Sequence, residues 1–158
     1  MEPKFIADVN VGKLGRWLRI LGYDVVIDRR LDDGALVSRG RREERTILTR
    51  DRGLPQLWET KAGLVRVVLL ASEELGAQLR QVVAELGLEV FHPLSRCLEC
   101  NQTLVVQDRE RMRGRVPPYV FQTQASFKVC PDCGRIYWAG THWNRMRQAL
   151  TQMLGEGQ

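Results

Sequence analysis

Two Cys-x-x-Cys pairs carry the clearest chemical signal in this sequence. They are Cys97-Leu98-Glu99-Cys100 and Cys130-Pro131-Asp132-Cys133-Gly134, separated by 29 residues. Each pair suits a tight turn whose two thiolates point at one ion. Four thiolates match tetrahedral zinc, and a closed four-cysteine set leaves no position for substrate, so the expected metal is structural. Gly134 can adopt positive φ, which turns backbone N–H groups toward the sulfurs. Two disulfides or an iron–sulfur cluster would use the same residues. Reduced thiols oppose the first, and paired knuckles more often bind zinc. His92 and His142 flank the module and read as surface or capping residues, because the cysteines already complete the tetrahedron.

A second constellation is acidic. Asp8 follows a short apolar run, Asp32 and Asp33 precede a helix, and Asp51 follows Thr46-Ile47-Leu48-Thr49. In an open parallel sheet, residues just past the carboxyl ends of strands share one crevice. Aspartates gathered there repel one another unless a cation sits among them. Magnesium and manganese favour oxygen ligands and also bind phosphate. Aspartate is equally common in turns and caps, and Asp24 and Asp28 read as structural. Lys13 and Arg16 lie three apart on one helix face, and with Arg50 they could engage phosphates beside a metal. Arg109, Arg111, Arg113 and Arg115, with Tyr119 and Phe121 nearby, could touch RNA through phosphates and stacking, or form a solvated loop.

Alternating strands and helices must position the acids. Phe5 to Ala7 reads as a strand, Val11 to Leu21 as a helix closed by Gly22, and Val25 to Ile27 as a strand. A helix from about Gly34 to Glu44, capped by Asp32 or Asp33, leads to the strand Thr46 to Thr49. Leu54 to Lys61 suits a short helix with Pro55 in its first turn. Leu64 to Leu70 suits a central strand covered on both faces. Ser72 is expected to cap a helix through Leu86, closed by Gly87, and Leu88 to Phe91 to form a last strand. The pattern predicts an α/β fold with a mainly parallel sheet flanked by helices. Residues 1–91 would form this domain, 92–96 a linker, and 97–158 a zinc ribbon with a terminal helix. In that module Thr103 to Gln107 and Pro118 to Gln122 read as strands. His142 to Leu154 reads as a helix with Trp143, Met146, Leu150 and Met153 on its apolar face.

Composition bounds the class. The chain has 158 residues, 44% hydrophobic and 27% charged, as in a folded globular protein. No apolar run reaches the length of a membrane span, and no signal peptide opens the sequence, so a cytoplasmic setting is expected. The net charge of +5, about +3 once four thiolates hold zinc, favours an anionic partner such as nucleic acid.

Longer blocks resemble a known family. Asp8 followed by Gly12-Lys13-Leu14-Gly15-Arg16-Trp17-Leu18-Arg19-Ile20-Leu21-Gly22-Tyr23-Asp24 looks like the opening of the Mut-seven C-terminal RNase domain family. Ile47 to Asp51 looks like its second block. Arg96 to Asn101 and Cys130 to His142 look like its zinc-ribbon blocks. The resemblance covers nearly the whole chain. It implies a PIN-like domain fused to a zinc ribbon and a metal-dependent ribonuclease acting on RNA. Asp8, Asp33 and Asp51 carry over as magnesium or manganese ligands, with Asp32 a rival to Asp33. Many PIN-like proteins place another acid shortly after the position of Asp51; here Arg52-Gly53-Leu54 supplies none. The alternatives are a non-catalytic RNA-binding or ribosome-associated adaptor, and a protein-interaction module docking through the ribbon.

Overall fold

A computed structural model describes residues 2–90 and 94–155. Four short strands form a parallel sheet: β1 (Lys4–Ala7), β2 (Asp24–Ile27), β3 (Thr46–Thr49) and β4 (Val67–Leu69). Their spatial order is β2-β1-β3-β4, with every neighbouring pair parallel. The period-2 alternation of side chains sends Phe5, Ala7, Leu48 and Val68 into one core, and Ile6, Ile47, Val65 and Val67 into another on the opposite face. Helices α1 (Gly12–Ile20) and α4 (Leu75–Leu86) supply Leu14, Leu18, Leu79 and Val82 to the first core. Helix α2 (Asp33–Arg42) supplies Leu36 and Val37 to the second. This is the expected mainly parallel α/β architecture.

Several expectations need correction. The Leu64–Leu70 run forms an edge strand of three residues, with Leu69 37% exposed, because no strand is added beyond it among the described residues. Leu88 to Val90 makes no ladder; Leu88 is buried in the first core instead. Phe91, His92 and Pro93, where that strand would end and the linker begin, lie outside the described residues. Leu54 to Lys61 splits into a 3-10 turn at Leu54–Gln56 and a one-turn helix α3 (Trp58–Lys61). Ser72 accepts from the Glu74 N–H at 3.0 Å, just ahead of α4, and Glu74 holds the N-cap position.

The C-terminal part is a three-stranded antiparallel sheet, β5 (Val105–Gln107), β6 (Phe127–Val129) and β7 (Ile136–Tyr137), in that order. Pro118 to Gln122 is not a strand but part of a helix, α5 (Pro118–Thr123). Proline at the first helical positions sacrifices no hydrogen bond and presets φ, which outweighs the β-prone Tyr119-Val120-Phe121 run. Helix α6 (Thr141–Leu154) closes the chain. Its apolar stripe is the expected one: Trp143 and Met146 meet the cysteine region, while Leu150, Met153 and Leu154 meet the main core.

Polar contacts bind the two parts. Asn101 accepts from the Val25 N–H at 2.9 Å and so continues the open edge of β2. Buried Arg19 donates to Val25 O at 2.9 Å and to Leu98 O at 2.8 Å. Asp24 accepts from Asn101 at 2.6 Å and from Arg45 at 2.8 Å, the structural role expected of it. Arg45, its side chain 9% exposed, also donates to Glu43 at 2.7 Å and to Phe5 O at 3.1 Å. Arg45→Met should therefore destabilise the fold by about 2 kcal/mol, discounted from a fully buried pair because both acids are partly wet. The Arg45 hydrogen bond is the chief reason the Glu43 carboxyl is lowered to about 2. A depressed carboxylate contributes fully above its ordinary value and loses that contribution as pH falls through its folded value. Urea melts should show a gap between parent and variant at neutral pH that narrows toward pH 2.

Candidate functional site

The sheet order creates a switch point. The chain leaves β1 toward β2 on one side and leaves β3 toward β4 on the other, so a crevice opens beyond the carboxyl ends of β1 and β3. Asp8 and Asp51 stand at those ends. Asp8 is 8% exposed and donates its N–H to Leu48 O at 2.9 Å, which extends the β1–β3 ladder. Its Oδ1 accepts from the Val9 N–H at 2.8 Å and its Oδ2 from Thr49 Oγ1 at 2.7 Å. The same Thr49 hydroxyl accepts from the Asp51 N–H at 2.9 Å. One fully buried hydroxyl thus ties both acidic positions together. Asp51 Oδ1 accepts from the Gly53 N–H at 2.8 Å.

Helix α2 brings the third acid. Asp32 is its N-cap, accepting from the Ala35 N–H at 2.8 Å, and is occupied in that role. Asp33, one residue on, is the acid that senses the crevice. Desolvation first, then the charges of Asp51 and Asp8, push its carboxyl above the ordinary value. Among the described residues, Asp8, Asp33 and Asp51 form no ion pair with Lys or Arg. Asp28, by contrast, is paired with Arg30 at 3.1 Å.

The expected phosphate-binding cations divide. Lys13 is exposed at the start of α1 and has no polar partner among the described residues. Arg16, one turn on, pairs with Glu99 of the first Cys-x-x-Cys turn at 2.9 Å. Arg50 reaches Glu73 at 3.4 Å, and its buried Nε has no hydrogen-bond partner among the described residues. Further along, Arg109 and Arg113 lie over the Phe121 ring at 3.9 and 4.6 Å, which covers that ring; Arg111, Arg115 and Tyr119 stay exposed. Thr49 and Asn10 were not anticipated as site residues. Asn10 donates to Asp8 at 3.5 Å and accepts from the Arg50 N–H at 3.3 Å. Their only signal in the sequence is a polar side chain within two residues of an acid.

The four cysteines form the tighter cluster. Their sulfurs all lie within 4.8 Å of one another, and among the described residues no other set of three or more His, Cys, Asp or Glu converges this way. A tetrahedron with bonds of about 2.3 Å has edges of about 3.8 Å; Cys97 Sγ and Cys133 Sγ are 3.7 Å apart. Both turns repeat one geometry. Cys97 N–H donates to Gln102 O and Asn101 N–H to Cys97 O; Cys130 N–H donates to Arg135 O and Gly134 N–H to Cys130 O. Asn101 and Gly134 take matching positive φ of 68° and 78°. The thiols differ in acidity. Chiefly the Arg135 backbone N–H lowers Cys133 to about 6, while a hydrogen bond to Cys133 raises Cys100 to about 12. Four sulfurs this close together can all carry negative charge only around a cation, as in a four-cysteine metal site. The donor set and spacing fit zinc.

A family model described as the Mut7-C RNAse domain matches residues 3–150. This chain belongs to that family. No curated protein and no solved structure matches it. The Mut7-C match runs from β1 into α6, so the acidic crevice and the cysteine cluster fall within one family unit. The family description gives the coarse assignment, an RNase domain with RNA as its substrate. None of the described Mut7-C helices is long and apolar enough to cross a membrane.

Proposed function

We propose that this chain is a divalent-metal-dependent ribonuclease that hydrolyses RNA phosphodiester bonds at the carboxyl edge of its parallel sheet. The observation that carries the reading is the placement of Asp8 and Asp51 at the carboxyl ends of neighbouring parallel strands, tied through the Thr49 hydroxyl, with Asp33 near enough for their charges to raise its carboxyl. Acids from three separate elements, with no ion pair to Lys or Arg among the described residues, suit a hard cation. Asp8, Asp33 and Asp51 would hold magnesium or manganese. Such an ion supplies a more acidic water and stabilises charge at phosphorus. The protein's own residues do the remaining work. Thr49 orients Asp8 and steadies the backbone of Asp51, Gly53 orients the Asp51 carboxylate, and Lys13, Arg16 and Arg50 steer the phosphate backbone toward the crevice. The zinc ribbon, residues 97–158, braces the first 91 residues and extends the RNA surface, in a cytoplasmic setting that keeps its thiols reduced.

The non-catalytic RNA-binding adaptor has one observation in its favour: the acids do not converge as closely as the cysteines. Incubating purified protein and single-stranded RNA with manganese separates the two readings. Cleavage leaving a 3′-hydroxyl opposite a 5′-phosphate, or the reverse, is expected of water attack. Absence of cleavage favours the adaptor, and a 2′,3′-cyclic phosphate would mean that the RNA's own hydroxyl attacked.

A further inference from the structure

A cavity of about 280 Å³ lies where α1, the first cysteine turn, β7 and the start of α6 meet. Its walls include Arg16, Glu99, Arg135, Tyr137, Trp138 and His142. Most of these come from the block Arg135 to His142, which supplies no cysteine, although Tyr137 Oη lies 3.2 Å from Cys97 Sγ and Arg135 O accepts from the Cys130 N–H. The rings and cations form a mixed wall, which is how unpaired bases are held: a planar face for stacking, with guanidinium groups for the phosphates on either side. The wall carries two guanidinium groups, Arg16 and Arg135, against one carboxylate, Glu99; Arg135 also hydrogen-bonds the Cys133 sulfur. Glu99 holds Arg16 at 2.9 Å at the cavity mouth.

Trp138 is set in place from two directions. Its ring meets Phe127 edge-on, with centroids 6.2 Å apart. On another side, a Cβ at Gly140 would fall 2.8 Å from Trp138 Nε1 and 2.9 Å from Cδ1, so only glycine leaves room for this indole. The indole is partly exposed and its N–H has no acceptor among the described residues. A partly exposed aromatic ring held this firmly at the wall of a cavity is suited to a planar ligand.

The cavity also lies on a path to the acids. Asp8 leads through Val11 into α1, whose exposed faces carry Lys13 and, about 4.5 Å further along the helix axis, Arg16. We propose that the cavity takes one unpaired base of the RNA strand, stacked on Trp138, while Arg16 and Arg135 hold the adjoining phosphates. The site rests on RNA being the substrate, and it would make single-stranded RNA the preferred form, since a paired base cannot enter.

The test uses the full-length Asp8→Asn protein with zinc retained, so that RNA is bound without being cut. Short single-stranded RNAs carry one fluorescent 2-aminopurine at successive positions. One position should show quenching on binding, and deleting the base there should weaken binding about tenfold. Trp138→Ala should weaken the intact RNA similarly and add nothing further to the abasic one. Trp138→Phe should restore most of the affinity, and the exposed His142→Ala should fold normally and weaken binding about threefold. Should Trp138→Ala fail to fold, the abasic RNA and His142→Ala carry the test. Equal fluorescence at every position, or base deletion without effect on the Asp8→Asn protein, would overturn the proposal. RNA cleavage by the parent together with that result would sink the cavity alone. Position-specific quenching without any cleavage would sink the nuclease and keep the base site.

Discussion

Asp8→Asn is expected to lower manganese-dependent cleavage of single-stranded RNA on the order of a thousandfold, and to leave the fold intact. The substitution keeps the shape of a side chain that is 8% exposed and accepts from the Val9 N–H. It removes the charge. A metal contributes several kcal/mol of transition-state stabilisation, and each 1.36 kcal/mol is roughly a factor of ten in rate, hence about three powers of ten for a lost ligand. Thr49 now faces an amide that does not accept on the nitrogen side, so a small loss of stability should accompany the large loss of rate. Matching circular dichroism spectra with activity down by this factor is the expected pair of results. Undiminished cleavage would point to a contaminating nuclease or to a site elsewhere.

The second large effect is structural. Cys130→Ser should cost about 5 kcal/mol or more and lower the melting temperature by roughly 10–20 °C, with loss of bound zinc by elemental analysis. Cys130 is 1% exposed and packs in one cluster with Ile20, Leu98 and Trp143. Loss of the ion should therefore reach the parallel sheet. Asn101, directly after Cys100, caps the outer edge of β2 through the Val25 amide. Hydrogen exchange at that amide should accelerate sharply in Cys130→Ser, more than at the central β1–β3 ladder. Superimposable melting curves, or a Val25 amide as protected as in the parent, would show that the cluster carries no structural ion.

Arrangement within the sheet was partly legible in advance. The strands at Phe5, Val25 and Thr46 and the helices around Leu14, Leu36 and Leu79 follow from periodicity, because one buried face imposes a repeat that local sequence must obey. Leu64 to Leu70 misled for a related reason. A continuous apolar run reports burial, and burial on α4 and α2 looks the same in sequence whether the strand is central or at an edge. Pro118 to Gln122 misled because β-prone side chains were weighed above two prolines that preset a helical turn.

The identity and spacing of Cys97, Cys100, Cys130 and Cys133 marked a cluster fit for zinc from sequence alone, and the four sulfurs do converge. Two ligands within one turn are brought together by local backbone geometry, whatever the rest of the chain does. The acids are different. Asp8, Asp33 and Asp51 sit on separate elements, and their mutual influence depends on strand order, on the crevice between β1 and β3, and on a buried Thr49 hydroxyl. Strand order arises from long-range packing that no short window of residues encodes. The same holds for the cavity beside Trp138, whose walls come from α1, the first cysteine turn, β7 and the start of α6, and exist only once those elements are packed together.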